Sequence, residues 1–143
     1  MDLELLDWLN TYTFPQEARY ENTEFAKEVY SVFAEDMKKS PNTRACIFGT
    51  LHVPATEILM EQLDKTGIKT MVGKVNMDRN GSPQLQEESA QASADATVQW
   101  IKDTLDKFEN VKPILTPRFT PSCSDELMEK LSEIQKRYHL PMQ

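Results

Sequence analysis

Residues 111–123 read VKPILTPRFTPSC. Val111–Leu115 is a short apolar run rich in strand formers, and it predicts a buried strand. The run stops at Thr116-Pro117-Arg118-Phe119, where an arginine and an aromatic sit together between Pro117 and Pro121. A long charged helical segment precedes the strand. A segment opening on Ser122 or Ser124, with Asp125 and Glu126 in its first turn, predicts a capped helix after it. Strand, polar turn and helix in that order form the repeating unit of an α/β protein, and such proteins gather ligand contacts just past the strand ends.

The same unit recurs upstream. Residues 24–39 place Ala26, Val29, Tyr30, Phe33 and Met37 at helical spacing behind a Thr23 cap, and Pro41 ends the helix. Arg44–Leu51 lacks polar alternation, which predicts a strand buried on both faces. Pro54 opens the next helix, which carries Ile58, Leu59 and Leu63 and stops at Gly67. Ile68–Asn76 is a second strand, and 78–88 is a strand-to-helix loop. A long helix over roughly 86–108 follows, with Ala94, Val98, Ile101, Leu105 and Phe108 on one side. After the third strand, Leu127, Leu131, Ile134 and Tyr138 form the stripe of the last helix. Leu140–Gln143 looks like the start of another strand. At the other end, residues 2–10 form about two helical turns capped by Asp2, with Leu5, Leu6 and Leu9 on one side. Tyr12-Thr13-Phe14-Pro15 then breaks them into an irregular loop. Regular alternation implies parallel strands with right-handed crossovers, either a doubly wound sheet or part of a (β/α)8 barrel.

Composition narrows the partners. The chain has 143 residues, 27% of them charged, and a net charge of -7. That length supports one ordinary domain. An acidic chain disfavours nucleic acid and anionic membrane surfaces. Cys46 and Cys123 form no C-x-x-C pair, and Cys46 reads as a small buried hydrophobe. Met1-Asp2-Leu3-Glu4 has no basic or apolar leader character, and no apolar run approaches a membrane span. The expectation is a reduced cytoplasmic setting.

The strand ends carry Thr50-Leu51-His52, then Asn76-Met77-Asp78-Arg79-Asn80, then Thr116-Pro117-Arg118-Phe119. His52, Asn76 and Asp78 are candidate pocket-lining residues. Arg118 and Phe119 are candidates for a planar polar ligand, because the guanidinium fork donates in a plane and the ring can stack. Pairing of Arg118 with a carboxylate is the plainer alternative. Trp8 and Trp100 read as packing residues, and His139 as a complement to a helix end. Two histidines cannot furnish a catalytic metal set, and no glycine-rich phosphate loop or nucleophile elbow is present.

Several blocks together resemble one family. These are Leu5-Leu6-Asp7-Trp8-Leu9, Tyr12-Thr13-Phe14-Pro15 with Glu17, Phe25-Ala26 and Glu28-Val29-Tyr30. Phe48-Gly49-Thr50 with His52, Gly73-Lys74-Val75 with Met77-Asp78-Arg79-Asn80, and Thr116-Pro117-Arg118-Phe119 continue the series. In this order they are similar to the cytosolic guanine deaminases of the zinc-dependent amidohydrolase superfamily. One departure is Asn42-Thr43-Arg44-Ala45, where the family carries a Gly-Thr-Thr-Thr-Ala-like run.

The resemblance implies an incomplete (β/α)8 TIM-type barrel, α/β in class, covering about strands 2–4 and the start of 5. Residues 1–143 would form that partial barrel domain, with 1–23 a loop and short helix following the first barrel strand. It implies hydrolysis of guanine to xanthine and ammonia by a zinc-activated water in a cytoplasmic, homodimeric parent. The resemblance also implies that Arg118 contacts the purine and that Phe119 lines its pocket. The family's H-x-H-x-P-Q and Ser-His-x-x-Glu motifs, which carry metal and proton transfer, have no match in these residues. The implied reading is an internal piece with purine-contacting residues, no catalytic residue, no metal ligand and no activity or zinc of its own. The competing reading is a stand-alone, non-catalytic α/β module that binds a small planar ligand.

Overall fold

The computed structural model describes residues 4–143. Helices α1 (Leu5–Trp8) and α2 (Phe14–Ala18) are joined by a π turn at Leu9–Thr13, and a 3-10 turn, Arg19–Glu21, follows. Then come α3 (Thr23–Lys39), β1 (Arg44–Phe48), α4 (Val53–Asp64), β2 (Lys69–Gly73), β3 (Val75–Asn76) and α5 (Ala90–Thr104). The chain closes with β4 (Val111–Pro113), β5 (Thr116–Pro117) and α6 (Asp125–Tyr138). The expected alternation is therefore present, with several local corrections.

Residues 4–21 are helical almost throughout rather than a loop. Right-handed helical backbone runs on from the π turn through Thr13 and Phe14 into α2, so Pro15 does not end the helical run. The expected Asp2 cap lies outside the described residues. Trp8 is half-exposed and does not pack into the core. The cap of α3 is Asn22, not Thr23. Its side chain accepts from the N–H groups of Glu24 and Phe25 at 3.0 and 3.1 Å, a motif that stabilises a helix by about 1 kcal/mol. Phe33, placed on the apolar stripe by its spacing, is exposed. Helix α5 begins at Ala90, where Ser89 caps the N–H of Ala92 at 3.1 Å. The preceding residues form an extended loop. Ser124, not Ser122, caps α6 by accepting from Leu127 N–H at 3.1 Å.

β1, β2 and β4 form a parallel sheet in chain order, and β3 and β5 continue β2 and β4 as a second parallel pair. The predicted single strand 68–76 is thus split at Lys74, and the predicted 111–115 stops at Pro113, with pairing resumed at Thr116. Gly73 marks the split. A Cβ there would stand 1.7 Å from Thr116 Oγ1, so only glycine allows the two strands to cross this closely. Leu115 bridges Met142 in parallel, with Leu115 N–H donating to Pro141 O and Gln143 N–H to Leu115 O, both at 3.0 Å. Leu140–Gln143 is accordingly the start of the next strand.

All the long helices cover one face of the sheet. Ala45, Ile47, Val72 and Val111 share a single core with Tyr30, Leu59, Leu63, Trp100, Leu127 and Leu131. The opposite face presents Cys46, Phe48 and Met71, all exposed. β1 is therefore covered on one side, not both, and Cys46 is not a buried hydrophobe. Parallel strands in chain order with helices on one face define a (β/α)8-type segment; a doubly wound sheet would carry helices on both faces. The fold is α/β, an incomplete barrel of about three strands with the start of a fourth.

Candidate functional site

The strand ends converge around Arg118. Its backbone N–H donates to Asn76 O at 3.1 Å, which extends the β3–β5 register and fixes where the side chain leaves the sheet. Its guanidinium pairs with Glu17, Nη1 donating to Oε2, and lies 5.3 Å from the Phe14 ring centroid. Both partners are largely buried, at 20% and 14% exposure. The carboxylate alternative for Arg118 is thus realised, and it orders the side chain beside a cavity. That cavity has a volume of about 300 Å³, and its walls include Glu17, Tyr20, Tyr30, Thr50, Val75 and Arg118. Small-molecule sites start at about this size. Among the described residues, two buried polar atoms on these walls lack a hydrogen-bond partner, Glu17 Oε1 and Thr50 Oγ1.

The other sequence candidates take different places. Asn76 is fully buried and turns toward α5, where its Nδ2 donates to Ser93 and Thr97 hydroxyls at 2.8 Å. Asp78 accepts from the Ser124 hydroxyl and from Ser124 N–H at 2.7 Å. It ties the β3 loop to the start of α6. His52 precedes α4, and its Nε2 is buried without a partner among the described residues. Burial lowers its pKa, against the opposing pull of Glu21 and Glu17. His139 ends α6 in the left-handed region at φ 53°.

Phe119 is exposed and adopts φ 67°, a backbone state that costs a bulky residue about 1–3 kcal/mol. The turn is held from both sides. Ser122 N–H donates to Phe119 O at 2.8 Å, and Asn80 Nδ2 donates to Pro121 O at 2.6 Å. Of the five candidates, only Arg118 lines this cavity.

Beneath these ends lies a buried polar cluster that periodicity alone did not reveal. Lys74 pairs with Glu87, whose second oxygen accepts from Met77 N–H at 3.1 Å and from the Ser93 hydroxyl. Glu87 N–H in turn donates to Met77 O at 2.8 Å, closing the base of the 77–87 loop. Cys123, with its Sγ 3.3 Å from Asn76 O, has its thiol pushed up to about 11, chiefly by burial. Glu17, Thr50 and Phe14 were missed as site residues. The signal that could have found Glu17 was its place in the aromatic block Tyr12–Tyr20, just after Phe14-Pro15.

The described residues do not fit zinc. Among the described residues, no group of three or more His, Cys, Asp or Glu side chains is arranged to hold a metal ion. No helix among them is long and apolar enough to cross a membrane.

Parallel strands, one-sided helices and a polar pocket at the strand ends define a (β/α)8-type barrel segment, and residues 1–143 match the amidohydrolase family throughout. The chain belongs to that family. Within it, the chain is 43% identical over 144 residues to a guanine deaminase of Rattus norvegicus, covering 100% of this chain and 32% of that protein. Its fold matches a crystal structure described as guanine deaminase from C. acetobutylicum with bound guanine in the active site. The TM-score is 0.93 at 46% identity, covering 99% of this chain and 33% of that one. An E. coli guanine deaminase structure matches with a TM-score of 0.86 at 31% identity, over 97% of this chain and 32% of the other. The chain therefore spans about a third of the length of the relatives it matches. Full-length coverage of that third does not favour an unrelated stand-alone module.

Proposed function

We propose that this chain is a segment of a guanine deaminase, an enzyme that hydrolyses guanine to xanthine and ammonia, and that it builds the wall of the site that orients the base. The observation that carries this reading is the placement of Arg118: at a strand end, ordered by Glu17, and lining a cavity with unpartnered polar atoms. Guanine offers O6 and N7 as adjacent acceptors, and a guanidinium fork meets that edge in a plane. Holding the planar base in one orientation converts an encounter into a positioned reaction. Phe119, next to Arg118 in a constrained turn, is the candidate to stack on the base once other elements close over it. Asn76 and Asp78 brace the strand ends, and none of His52, Asn76 and Asp78 lines the cavity. The described residues hold the base and not the metal; zinc ligands would come from elsewhere in the enzyme. The same reading makes the full-length enzyme a cytoplasmic, zinc-dependent homodimer.

The test is Arg118→Ala and Arg118→Lys in the full-length enzyme, with xanthine formation from guanine as the readout. Loss of charge-assisted hydrogen bonds worth about 1.5–3 kcal/mol lowers kcat/KM by roughly 10- to 150-fold. Lysine restores little, because it lacks the fork. Zinc content stays at the wild-type level. Unchanged kcat/KM in Arg118→Ala would remove Arg118 from the site.

A further inference from the structure

The pairing of Glu17 with Arg118 leaves a pattern that base orientation alone does not use. One carboxylate oxygen of Glu17, Oε2, accepts from Arg118 Nη1. The other, Oε1, is buried and has no hydrogen-bond partner among the described residues, although Glu17 lines the cavity. A buried, unpaired carboxylate oxygen is costly unless a donor reaches it. Arg118, on the same wall, has five N–H donors and a single side-chain acceptor among the described residues, Glu17. A carboxylate and a guanidinium, an acceptor beside a donor, therefore stand paired among the residues that line one cavity.

We propose that Glu17 and Arg118 act as one donor–acceptor pair that reads the lactam edge of the base, Arg118 donating to O6 while Glu17 Oε1 accepts from N1–H. Glu17 is thereby a specificity-determining residue. The order of groups is what discriminates. Guanine presents acceptor then donor along C6 and N1. Adenine and 2,6-diaminopurine present the inverse, an amino donor at C6 and a bare acceptor nitrogen at N1. Against the inverse edge, the carboxylate oxygen faces a lone pair and the guanidinium faces an N–H, so both buried groups go unpaired. A site built on hydrogen bonds rejects such an analogue strongly. The inference rests on the full-length protein being a guanine deaminase.

The test compares guanine with 2,6-diaminopurine, which keeps the 2-amino leaving group and inverts only the edge. Wild-type enzyme should favour guanine in kcat/KM by about 100-fold or more. In Glu17→Gln the side-chain amide can turn either its oxygen or its NH2 toward N1, and the preference should fall by about 10-fold or more. Glu17→Ala, which removes the acceptor, should shrink it similarly. Both substrates are measured on one preparation, so the ratio is independent of how much enzyme folds. Because Arg118 also reads the edge, the deciding comparison is made in an Arg118→Ala background: Glu17→Ala should lower the guanine preference further there, and a ratio unchanged from Arg118→Ala alone would mean that Glu17 only holds Arg118 in place, which overturns the proposal.

Wild-type enzyme gives a readout that needs no variant. Hypoxanthine, with the guanine-like edge, should compete with guanine, and adenine should not; equal competition by adenine overturns the proposal. A wild-type protein that forms no xanthine from guanine refutes the deaminase reading itself, an outcome distinct from an active enzyme whose ratio ignores Glu17.

Discussion

Replacing Glu87 by glutamine removes the counter-charge of a lysine that has no access to water. The Lys74 side chain is 0% exposed and that of Glu87 10%. Glu87 Oε1 accepts from Lys74 Nζ, while Oε2 accepts from Met77 N–H and the Ser93 hydroxyl. Glutamine keeps the shape but has one acceptor oxygen. Its NH2 must face either an ammonium or a backbone N–H, donor against donor. Breaking a buried pair from one side costs about 3–5 kcal/mol, a large share of the roughly 5–15 kcal/mol that holds a typical fold. The companion variant Lys74→Met/Glu87→Gln removes the stranded charge and leaves the amide oxygen for Met77 and Ser93, so it should recover most of the loss.

The pH dependence has a definite sign. Burial holds the Lys74 ammonium below the usual lysine range, with Glu87 opposing that shift. Between the folded value and 10.5, the unfolded chain binds more protons than the folded one. Stability therefore rises with pH across that window. Without Glu87 the window reaches lower, so the deficit of Glu87→Gln should shrink as pH is raised from about 7 toward 10. Urea unfolding followed by the fluorescence of buried Trp100 measures each variant. A single variant within about 1 kcal/mol of the parent, or a double variant no better than the single, would refute this account of the cluster.

Gly73→Ala places a methyl 1.7 Å from Thr116 Oγ1 and 2.9 Å from Ile114 O. It should destabilise by about 3 kcal/mol or more. Gly67→Ala, with φ +75° and nothing within 4 Å, should cost only about 1 kcal/mol; thermal midpoints in the reverse order would contradict the crossing geometry. His52 has its pKa lowered by burial, so an NMR titration should give a midpoint below 6.5. Its contribution to stability is then complete above the unfolded value and lost as pH falls through the folded one, and a midpoint above 6.5 would contradict its buried placement.

The alternation of strands and helices was legible because each unit carries its own local signals. Apolar runs, Pro54 in a first turn, Gly67 in the left-handed region and Ser124 before Asp125 each act within a few residues. What local pattern could not give was the partner of each face. Arg44–Phe48 lacks polar alternation, yet Cys46 and Phe48 are exposed because these residues supply a helical layer on one side only. The breaks at Lys74 and before Thr116 depend on a glycine contact across 43 residues of chain, which no single-segment pattern records. The place of Arg118 beside the cavity was legible, because its position at a strand end follows from the same alternation. Glu17 was not, because its pairing spans 101 positions and it sits on a segment that reads as an irregular loop rather than the helix it forms. Asn76 and Asp78 show the opposite failure: polar residues at strand ends, yet occupied in α5 and α6 rather than facing the cavity.

A crystal structure of the full-length protein with guanine bound would show which residues hold the base. It should show an Arg118 guanidinium nitrogen at about 3 Å from a base acceptor, with Glu17 still paired to the guanidinium. Guanine seated away from the β3 and β5 ends, with Arg118 bonded to Glu17 and to nothing on the base, would contradict it.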